Sequence, residues 1–379
     1  MSLGHRGDCW HNADVARAVS PHPSAPEESG STPHAISLKI QGFLGVREGR
    51  LEGLSPLSIL VGPNNAGKST CLEAAALATS VDSTFATRLL LRRGGPVLDS
   101  LTRAFGGDQD AFTTSFQIDG RILEVRARIG GTHDAQRRQQ AIEDGLSEPM
   151  EHLTFQWSSS FESKDEHAAV EQYVDSSGRM STPFLLNYPL AIRNTRPIRF
   201  LDVEAQRAQG SLEDAYSELE RSGNLHEAVR ALRTSFGSLD DLRILKVRDD
   251  FVLHTVSKGS PPVPAYLAGD GFKRFIVVAA GVFSARGGIV FLEEPECYQH
   301  PRYLGEMVGL LLSAVKDGTT VVLSTHSREL IQLLAHGSTS EMYPTVHRLR
   351  LVNSRLVSTV VDHASVLTAI DDIVEDLRA

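Results

Sequence analysis

The chain has few cysteines and no excess of positive charge. Its 379 residues include three cysteines, Cys9, Cys71 and Cys297, which are odd in number and scattered along the sequence. No disulfide framework is therefore expected, and a reducing cytoplasm is the compartment that fits best. The formal net charge of -9 argues against a protein that coats nucleic acid generally, although a local basic face is compatible with it.

Long apolar runs and long heptad repeats are also missing. The longest apolar candidate, residues 275–283, is far shorter than the ~20 residues that span a bilayer, so we expect no membrane partner. The N-terminus has no basic patch followed by an apolar segment, which argues against a signal peptide. Without a heptad repeat, a long coiled-coil arm is not expected.

Residues 62–70 fit the phosphate-loop pattern G-x-x-x-x-G-K-[ST]. An apolar run at 57–61 predicts a buried strand before the loop, and helix formers at 71–78 predict a helix after it. This order aims backbone N–H groups and a helix N-terminus at an anion. The predicted nucleotide-binding residues here are Asn64, Asn65, Ala66, Gly67, Lys68, Ser69 and Thr70.

Four side chains are assigned to the phosphates, the metal and the attacking water. Lys68 is expected to reach the β- and γ-phosphates, and the Ser69 hydroxyl to ligate Mg²⁺. A phosphate loop also needs a carboxylate at the end of a nearby strand, and the apolar run 289–292 ends in Glu293 and Glu294. We expect Glu293 to support Mg²⁺ through water, and Glu294 to act as the base that polarises the attacking water.

A third strand end carries a histidine. Residues 319–327 read as an apolar strand that ends in polar residues, and His326 there is a candidate to hydrogen-bond the γ-phosphate or the attacking water. Pro301 fits the first turn of a helix that runs to about residue 315. The two strands are therefore expected to be parallel, with ligands gathering at their C-terminal ends.

The remaining segments predict a mixed α/β fold. Residues 112–118 and 121–129 alternate around an Asp-Gly turn and predict a β-hairpin. Residues 43–53 predict a turn-rich connector, and the acidic stretch 162–175 predicts a solvent-facing segment. Ser211 opens a helical stretch with a capping signature.

The order and spacing of these motifs resemble ATPases of the ABC superfamily, in the branch with SMC, RecF and the OLD (overcoming lysogenization defect) proteins. The resemblance rests on 62–70 as Walker A, 289–294 as Walker B, 296–301 as the D-loop region, 324–327 as the switch-histidine strand and 268–271 as the signature. It covers about residues 35–335, strongly at the motifs and weakly between them.

The resemblance implies an ABC-type P-loop ATPase head of the α/β class, with a mixed sheet, an N-terminal antiparallel β layer and a helical insertion. It implies ATP and Mg²⁺ as ligands. It also implies a homodimer or higher homo-oligomer, in which each ATP lies between Walker A of one copy and the signature of another. Gly269, Asp270 and Gly271 would then act in trans, with Lys273 or Arg274 as a phosphate contact.

Under this resemblance the chain divides into five segments. We expect a disordered leader at 1–34, an ATPase lobe with Walker A and the antiparallel layer at 35–200, and an insertion of helices and strands at 201–260. A second lobe at 261–345 would hold the signature, Walker B and His326. A strand pair and an acidic helix would follow at 346–379.

OLD nucleases carry a Toprim domain after the ATPase. Residues 327–379 are too short for one, so no nuclease is predicted in this chain.

Two positions depart from the family pattern. Glu293 stands where Asp is usual, and its longer side chain would shift the metal and slow turnover. Asp270 stands where Ser is usual. Its carboxylate would repel a γ-phosphate unless it caps the helix or pairs with Lys273.

The leading interpretation is an ATP-dependent molecular switch. ATP would close a homodimer, hydrolysis by Glu294 and His326 would reopen it, and the output would pass to a separate effector, such as a nuclease or toxin in bacterial defence against phage. The alternative is a DNA-repair or DNA-maintenance ATPase that binds DNA itself. Its basic face would consist of Arg88, Arg92, Arg93, Arg126, Arg128, Arg193, Arg196 and Arg199. A transporter ATPase is disfavoured because no Leu-Ser-Gly-Gly-Gln signature is present.

Overall fold

The structure is a computed structural model of the chain. It describes residues 36–105, 110–130, 135–148, 150–161, 164–187, 196–203, 205–207, 210–339, 342–361 and 363–368. The predicted disordered leader and residues 369–379 of the predicted C-terminal segment lie outside the described residues.

The strands of the described residues, in chain order, are Ile36–Phe43 (β1), Val46–Leu54 (β2), Leu57–Val61 (β3), Ala111–Ile118 (β4), Arg121–Ile129 (β5), Met150–Phe161 (β6), Lys164–Asp175 (β7), Met180–Asn187 (β8), Ile198–Leu201 (β9), Asp241–Val247 (β10), Asp250–Val256 (β11), Val263–Pro264 (β12), Ile289–Glu293 (β13), Thr320–Ser324 (β14), Thr345–Val352 (β15) and Arg355–Val361 (β16). The helices are Lys68–Thr79 (α1), Ser83–Leu91 (α2), Val97–Ala104 (α3), Ala135–Glu143 (α4), Ser211–Arg221 (α5), Leu225–Ser235 (α6), Asp270–Ser284 (α7), Pro301–Lys316 (α8), Arg328–Gly337 (α9) and His363–Thr368 (α10).

A thirteen-stranded mixed sheet has the order β8-β7-β6-β5-β4-β1-β2-β16-β15-β3-β14-β13-β9. Strands β9, β13, β14, β3 and β15 run parallel to their neighbours within this group. The run from β8 to β2 is antiparallel. The predicted mixed α/β sheet with an N-terminal antiparallel layer is therefore confirmed. Helices α5 and α6 and strands β10 and β11 lie within residues 201–260, whereas β12, the third strand of a second sheet, lies after them.

The central parallel strands are buried on both faces. All five residues of β3, β13 and β14 are buried, as expected for short apolar runs in a parallel sheet. Alternate residues of β13 enter different cores: Val290 and Leu292 join the cluster that includes α7 and α8, whereas Ile289 and Phe291 join the one that includes α1. Glu293 and Ser324, the last residues of adjacent strands, are paired in register. The polar residues that follow them therefore start at the same edge of the sheet.

Three local predictions are wrong. Most of the predicted connector at 43–53 belongs to β2, which begins at Val46, and residues 164–175 of the predicted solvent-facing segment form β7. In β7, the buried polar residues Gln172 and Asp175 obscure the apolar alternation; Gln172 accepts a hydrogen bond from Thr87 on α2. The N-cap of α5 is Gly210, with φ 76 and no side-chain cap, so the capping signature at Ser211 does not form.

Candidate nucleotide site

The phosphate loop lies between β3 and α1, as predicted. Gly62 has φ 146, and a Cβ there would lie 2.4 Å from the carbonyl oxygen of Leu349, so the position requires glycine. Gly67 is the N-cap of α1 in the left-handed conformation and provides no side-chain cap. The first N–H groups of α1 therefore remain available to an anion at the helix N-terminus.

Lys68 is folded back onto its own loop. Its Nζ donates to the carbonyl oxygens of Gly62 and Pro63, at 2.8 and 3.0 Å. Burial lowers the pKa of the Lys68 ammonium, and the nearby carboxylates of Glu294 and Glu293 act in the opposite direction. A phosphate that enters the loop offers Nζ a charged acceptor in place of two neutral ones.

A cavity of about 520 Å³ joins the predicted loop to the predicted catalytic residues. Its lining consists of Leu44, Val46, Asn64, Asn65, Ala66, Gly67, Lys68, Ser69, Thr70, Arg93, Glu294, His326 and Leu351. Sequence reasoning missed the apolar members, because Leu44 and Val46 lie at the junction of β1 and β2 and Leu351 lies on β15, which is distant in sequence. The structure thus brings the Walker A residues, Glu294 and His326 to one site.

Glu294 is held in an uncommon backbone conformation. Its φ is 43, and its N–H donates to the carbonyl oxygen of Ser324 at 3.0 Å. Non-glycine residues in this region cost free energy and occur often at functional sites. The Glu294 Oε2 atom accepts a hydrogen bond from the Cys297 thiol at 3.2 Å, and burial raises the pKa of that thiol to about 12, so it keeps its proton.

Glu296 connects the Walker B segment to the histidine strand. Its Oε1 accepts hydrogen bonds from the Thr325 hydroxyl and from the His326 N–H, the latter at 3.1 Å. Burial raises the pKa of the Glu296 carboxyl above its ordinary value. This carboxyl therefore fixes the backbone at His326, whose Nε2 lies 3.8 Å from Glu294 Oε1.

Glu293 is buried and ion-paired. The Arg92 guanidinium contacts both of its carboxylate oxygens, at 2.9 and 3.4 Å, and also donates from Nε to Glu73 at 2.6 Å. Glu73 lies on α1 and also pairs with Arg93 at 2.5 Å. Sequence reasoning overlooked Glu73 because a charged residue within an apolar helix gives no local sign of its partner.

The donor set at the loop fits Mg²⁺ in part. Ser69 borders the cavity, where its hydroxyl oxygen is a suitable ligand for a hard cation. The second predicted ligand, Glu293, is engaged by Arg92. Its role as a metal ligand therefore stays a prediction that depends on this ion pair.

The signature residues form a separate cluster. Asp270 begins α7 and pairs with Lys273 at 2.6 Å and with Arg207 at 3.2 Å. Hydrogen bonds from these two cations hold the pKa of the Asp270 carboxyl below its ordinary value. Of the two roles considered for Asp270, the structure shows the pairing with Lys273, and α7 has Gly269 as its N-cap without a side-chain cap.

Arg274 is not a candidate phosphate contact. Its side chain is fully buried and donates to the backbone oxygens of Glu293, at 2.8 Å, and of Asp202. The expectation that it reaches a phosphate is therefore wrong, because the guanidinium is used inside the protomer. The carbonyl oxygen of Gly271 accepts a hydrogen bond from the Gln299 side-chain amide at 2.9 Å.

Gly269, Asp270 and Gly271 do not line the Walker A cavity. They border two other cavities, of about 360 and 730 Å³.

Several arginines of the predicted DNA-binding face are paired with acidic residues. Arg92 and Arg93 pair with Glu73, Arg196 with Asp119, and Arg199 with Glu218. Arg88, Arg126 and Arg128 are exposed, and Arg193 lies outside the described residues.

Within the described residues, no helix combines the length and apolar character needed to cross a membrane.

A strand, a glycine loop and a helix N-terminus, with acidic and histidine strand ends beside them, define a P-loop nucleotide-binding domain. Comparison with protein families agrees. The chain belongs to the family described as "AAA domain, putative AbiEii toxin, Type IV TA system", whose model matches residues 57–332. It is thus an ATPase-type domain, and its assignment to an OLD-like branch stays a prediction.

Two relatives come from Methanocaldococcus jannaschii, and both are described as uncharacterized. MJECL10 is 25% identical over 223 residues, covering 58% of this chain and 94% of that protein. MJECL11 is 29% identical over 112 residues, covering 29% of this chain and 98% of that protein.

Solved structures similar to this chain include two SMC heads. The SMC head domain from Thermotoga maritima is 13% identical, with a TM-score of 0.41, and the match covers 87% of this chain and 99% of that one. An SMC head bound to the C-winged helix domain of ScpA is 10% identical, with a TM-score of 0.48, and the match covers 87% and 98% of the two chains.

Proposed function

We propose that the chain is an ATP-binding and ATP-hydrolysing molecular switch that dimerises around ATP and controls a separate effector. The proposal depends on one observation: the residues of the expected ATP site lie at separate cavities of the chain. Lys68, Glu294 and His326 share one cavity, whereas Gly269–Gly271 border others. A second copy that presents its signature to the first would complete the site.

Hydrolysis would use the residues at the two strand ends. Glu294 would accept a proton from water as the water oxygen forms a bond to the γ-phosphorus, and the bond from that phosphorus to the β–γ bridging oxygen would break. His326 would hold the water or a γ-phosphate oxygen through Nε2. Lys68 would leave the carbonyl oxygens of Gly62 and Pro63 for the phosphates.

Mg²⁺, when bound, would supply positive charge to the phosphate oxygens. Ser69 is the residue of this chain that fits it directly, and Glu293 is the second predicted ligand. Release of ADP and phosphate would leave the cavity with Lys68 again satisfied by loop carbonyls. Opening of the dimer would accompany this release and constitute the switch.

The family description supports a role in a toxin–antitoxin or abortive-infection setting. We therefore propose that the output passes to an effector such as a nuclease or toxin, as part of anti-phage defence. A DNA-binding role receives less support, because Arg92, Arg93, Arg196 and Arg199 are paired with acidic residues within the chain. A DNA affinity that falls steeply as the salt concentration rises would favour the DNA-binding role.

The test combines ATP binding, phosphate release and molar mass in solution. The wild-type chain is expected to bind ATP and to increase in mass when ATP is added, as measured by light scattering after gel filtration. Lys68→Ala should abolish both, and the matched exposed-site variant Lys39→Ala should abolish neither. A wild-type chain that binds no ATP with Mg²⁺ present, or that keeps one mass with and without ATP, contradicts the proposal.

A further inference from the structure

The carboxylate of Glu293 is neutralised from within the chain. Arg92, at the C-cap of α2, directs Nη1 and Nη2 to the two carboxylate oxygens of Glu293 at the end of β13. The Arg92 side chain is 16% exposed and that of Glu293 is 9% exposed. A planar guanidinium that contacts both oxygens gives a charge-assisted pair with fixed geometry, and exclusion of water strengthens it.

Three further contacts hold Arg92 in place. Its Nε donates to the buried Glu73 of the phosphate-loop helix, and its guanidinium carbon lies 5.1 Å from the centre of the Phe200 ring. Asp202 lies 3.9 Å from Nη1. The guanidinium thus connects the helix that follows the phosphate loop to the strand that carries the Walker B carboxylates.

A carboxylate beside a triphosphate normally adds repulsion, which a bound divalent cation offsets. Here Arg92 already supplies that positive charge. We infer that Arg92 is a positioning residue that holds and neutralises Glu293, so that the chain binds ATP without Mg²⁺ and requires the metal for hydrolysis alone. This inference rests on the proposed ATP-binding function.

The chain offers a variant that isolates this pair. In Arg92→Gln, Glu73 keeps its ion pair with Arg93 at 2.5 Å, whereas Glu293 loses its guanidinium partner. The variant also removes the contacts of Arg92 with Glu73, Phe200 and Asp202, and for that reason the double variant with Glu293→Gln isolates the effect of the Glu293 charge. Arg88→Gln is the matched control, because Arg88 is an exposed arginine one turn earlier in α2.

The experiment measures ATP affinity of the whole chain by equilibrium dialysis, with Mg²⁺ and with EDTA. For wild type and for Arg88→Gln, the ATP affinities measured with Mg²⁺ and with EDTA should differ by less than about fivefold. In EDTA, Arg92→Gln should bind ATP at least about fiftyfold more weakly than wild type, and Mg²⁺ should restore most of the lost affinity. The double variant Arg92→Gln/Glu293→Gln should recover binding in EDTA, because the unpaired carboxylate is gone.

The outcomes separate the inference from the proposed function. If wild type binds ATP with Mg²⁺ but loses at least about fiftyfold in EDTA, the inference is overturned and the ATP-binding function stands. Failure of the double variant to recover also overturns it. If thermal denaturation shows Arg92→Gln to be unfolded, Glu293→Gln alone decides: binding in EDTA at least as tight as wild type supports the inference, and weaker binding overturns it.

Discussion

The Oε1 atom of Glu294 lies 3.8 Å from the Nε2 atom of His326. This separation exceeds a hydrogen bond and is suited to a water shared between the two side chains. Adjacent parallel strands produce it, because β13 and β14 end in register at Glu293 and Ser324. Two residues far apart in sequence therefore face the same cavity as Lys68.

We predict that Glu294→Gln removes hydrolysis and retains ATP binding. The amide is similar in size to the carboxylate but cannot accept a proton from water, so phosphate release should fall at least about 100-fold. ATP affinity should change by less than about threefold, because the phosphates are held chiefly by the loop. The measurements are a phosphate-release assay and equilibrium dialysis, and an ATP-bound dimer should accumulate in light scattering. Turnover close to wild type would exclude Glu294 as the base.

The central strands were predictable because their signals are local. The apolar runs of β3, β13 and β14 are continuous and end in polar or glycine residues, so sequence pattern alone locates them. The convergence of Glu294 and His326 also followed, since parallel strands place their C-terminal ends at one edge. The hairpin of β4 and β5 was predictable from its Asp-Gly turn, and the mixed sheet with its antiparallel layer was implied by the family resemblance.

The ion-pair chemistry was not predictable from the sequence. Arg92 and Glu293 are 201 positions apart, and nothing near either residue identifies its partner. Local composition therefore suggested a basic DNA-binding face at Arg92 and Arg93, although both contact the buried Glu73. Strand β7 was missed for a related reason, since its buried Gln172 obtains a hydrogen bond from Thr87 on another element.

A second prediction concerns the two glycines of the signature. A Cβ at Gly271 would lie 2.5 Å from the backbone oxygen of Tyr298, whereas one at Gly269 would have no atom of the described residues within 4 Å. Gly271→Ala should therefore destabilise the chain by about 1–3 kcal/mol, because the obstructing atom is backbone and cannot rotate away. Gly269→Ala, at φ -61 and ψ 152, should be nearly neutral. Urea unfolding monitored by circular dichroism compares them, and equal destabilisation would contradict the prediction.

A third prediction concerns the charge at the signature. In the proposed dimer, the Asp270 carboxylate would face the γ-phosphate bound by the other copy, and Lys273 neutralises it at 2.6 Å. Lys273→Gln should weaken ATP-dependent dimerisation by about tenfold, with Arg207 limiting the effect. Adding Asp270→Asn should restore the dimer. Sedimentation in the Glu294→Gln background measures this, and an unchanged dissociation constant for Lys273→Gln would place Asp270 away from the phosphate.

A fourth prediction concerns stability in acid. His347 on β15 is fully buried beside the phosphate-loop strand, paired in register with Leu60 of β3. Burial lowers the pKa of His347 to about 4 in the folded chain, against about 6.5 for an exposed histidine. The folded state thus favours the neutral ring, and unfolding takes up a proton. The contribution of the neutral His347 ring to the free energy of unfolding is fully present above about pH 6.5. It falls progressively towards pH 4, by about 3 kcal/mol in total.

His347→Gln cannot take up that proton, so its free energy of unfolding should depend less on pH between about 6.5 and 4 than that of wild type. The substitution lowers stability at neutral pH through altered packing, and for that reason the slope with pH is the decisive quantity. Urea unfolding at a series of pH values measures it. The control is His226→Gln, the same substitution at an exposed position. Parallel curves for wild type and His347→Gln would mean that the buried ring is not the group that takes up the proton.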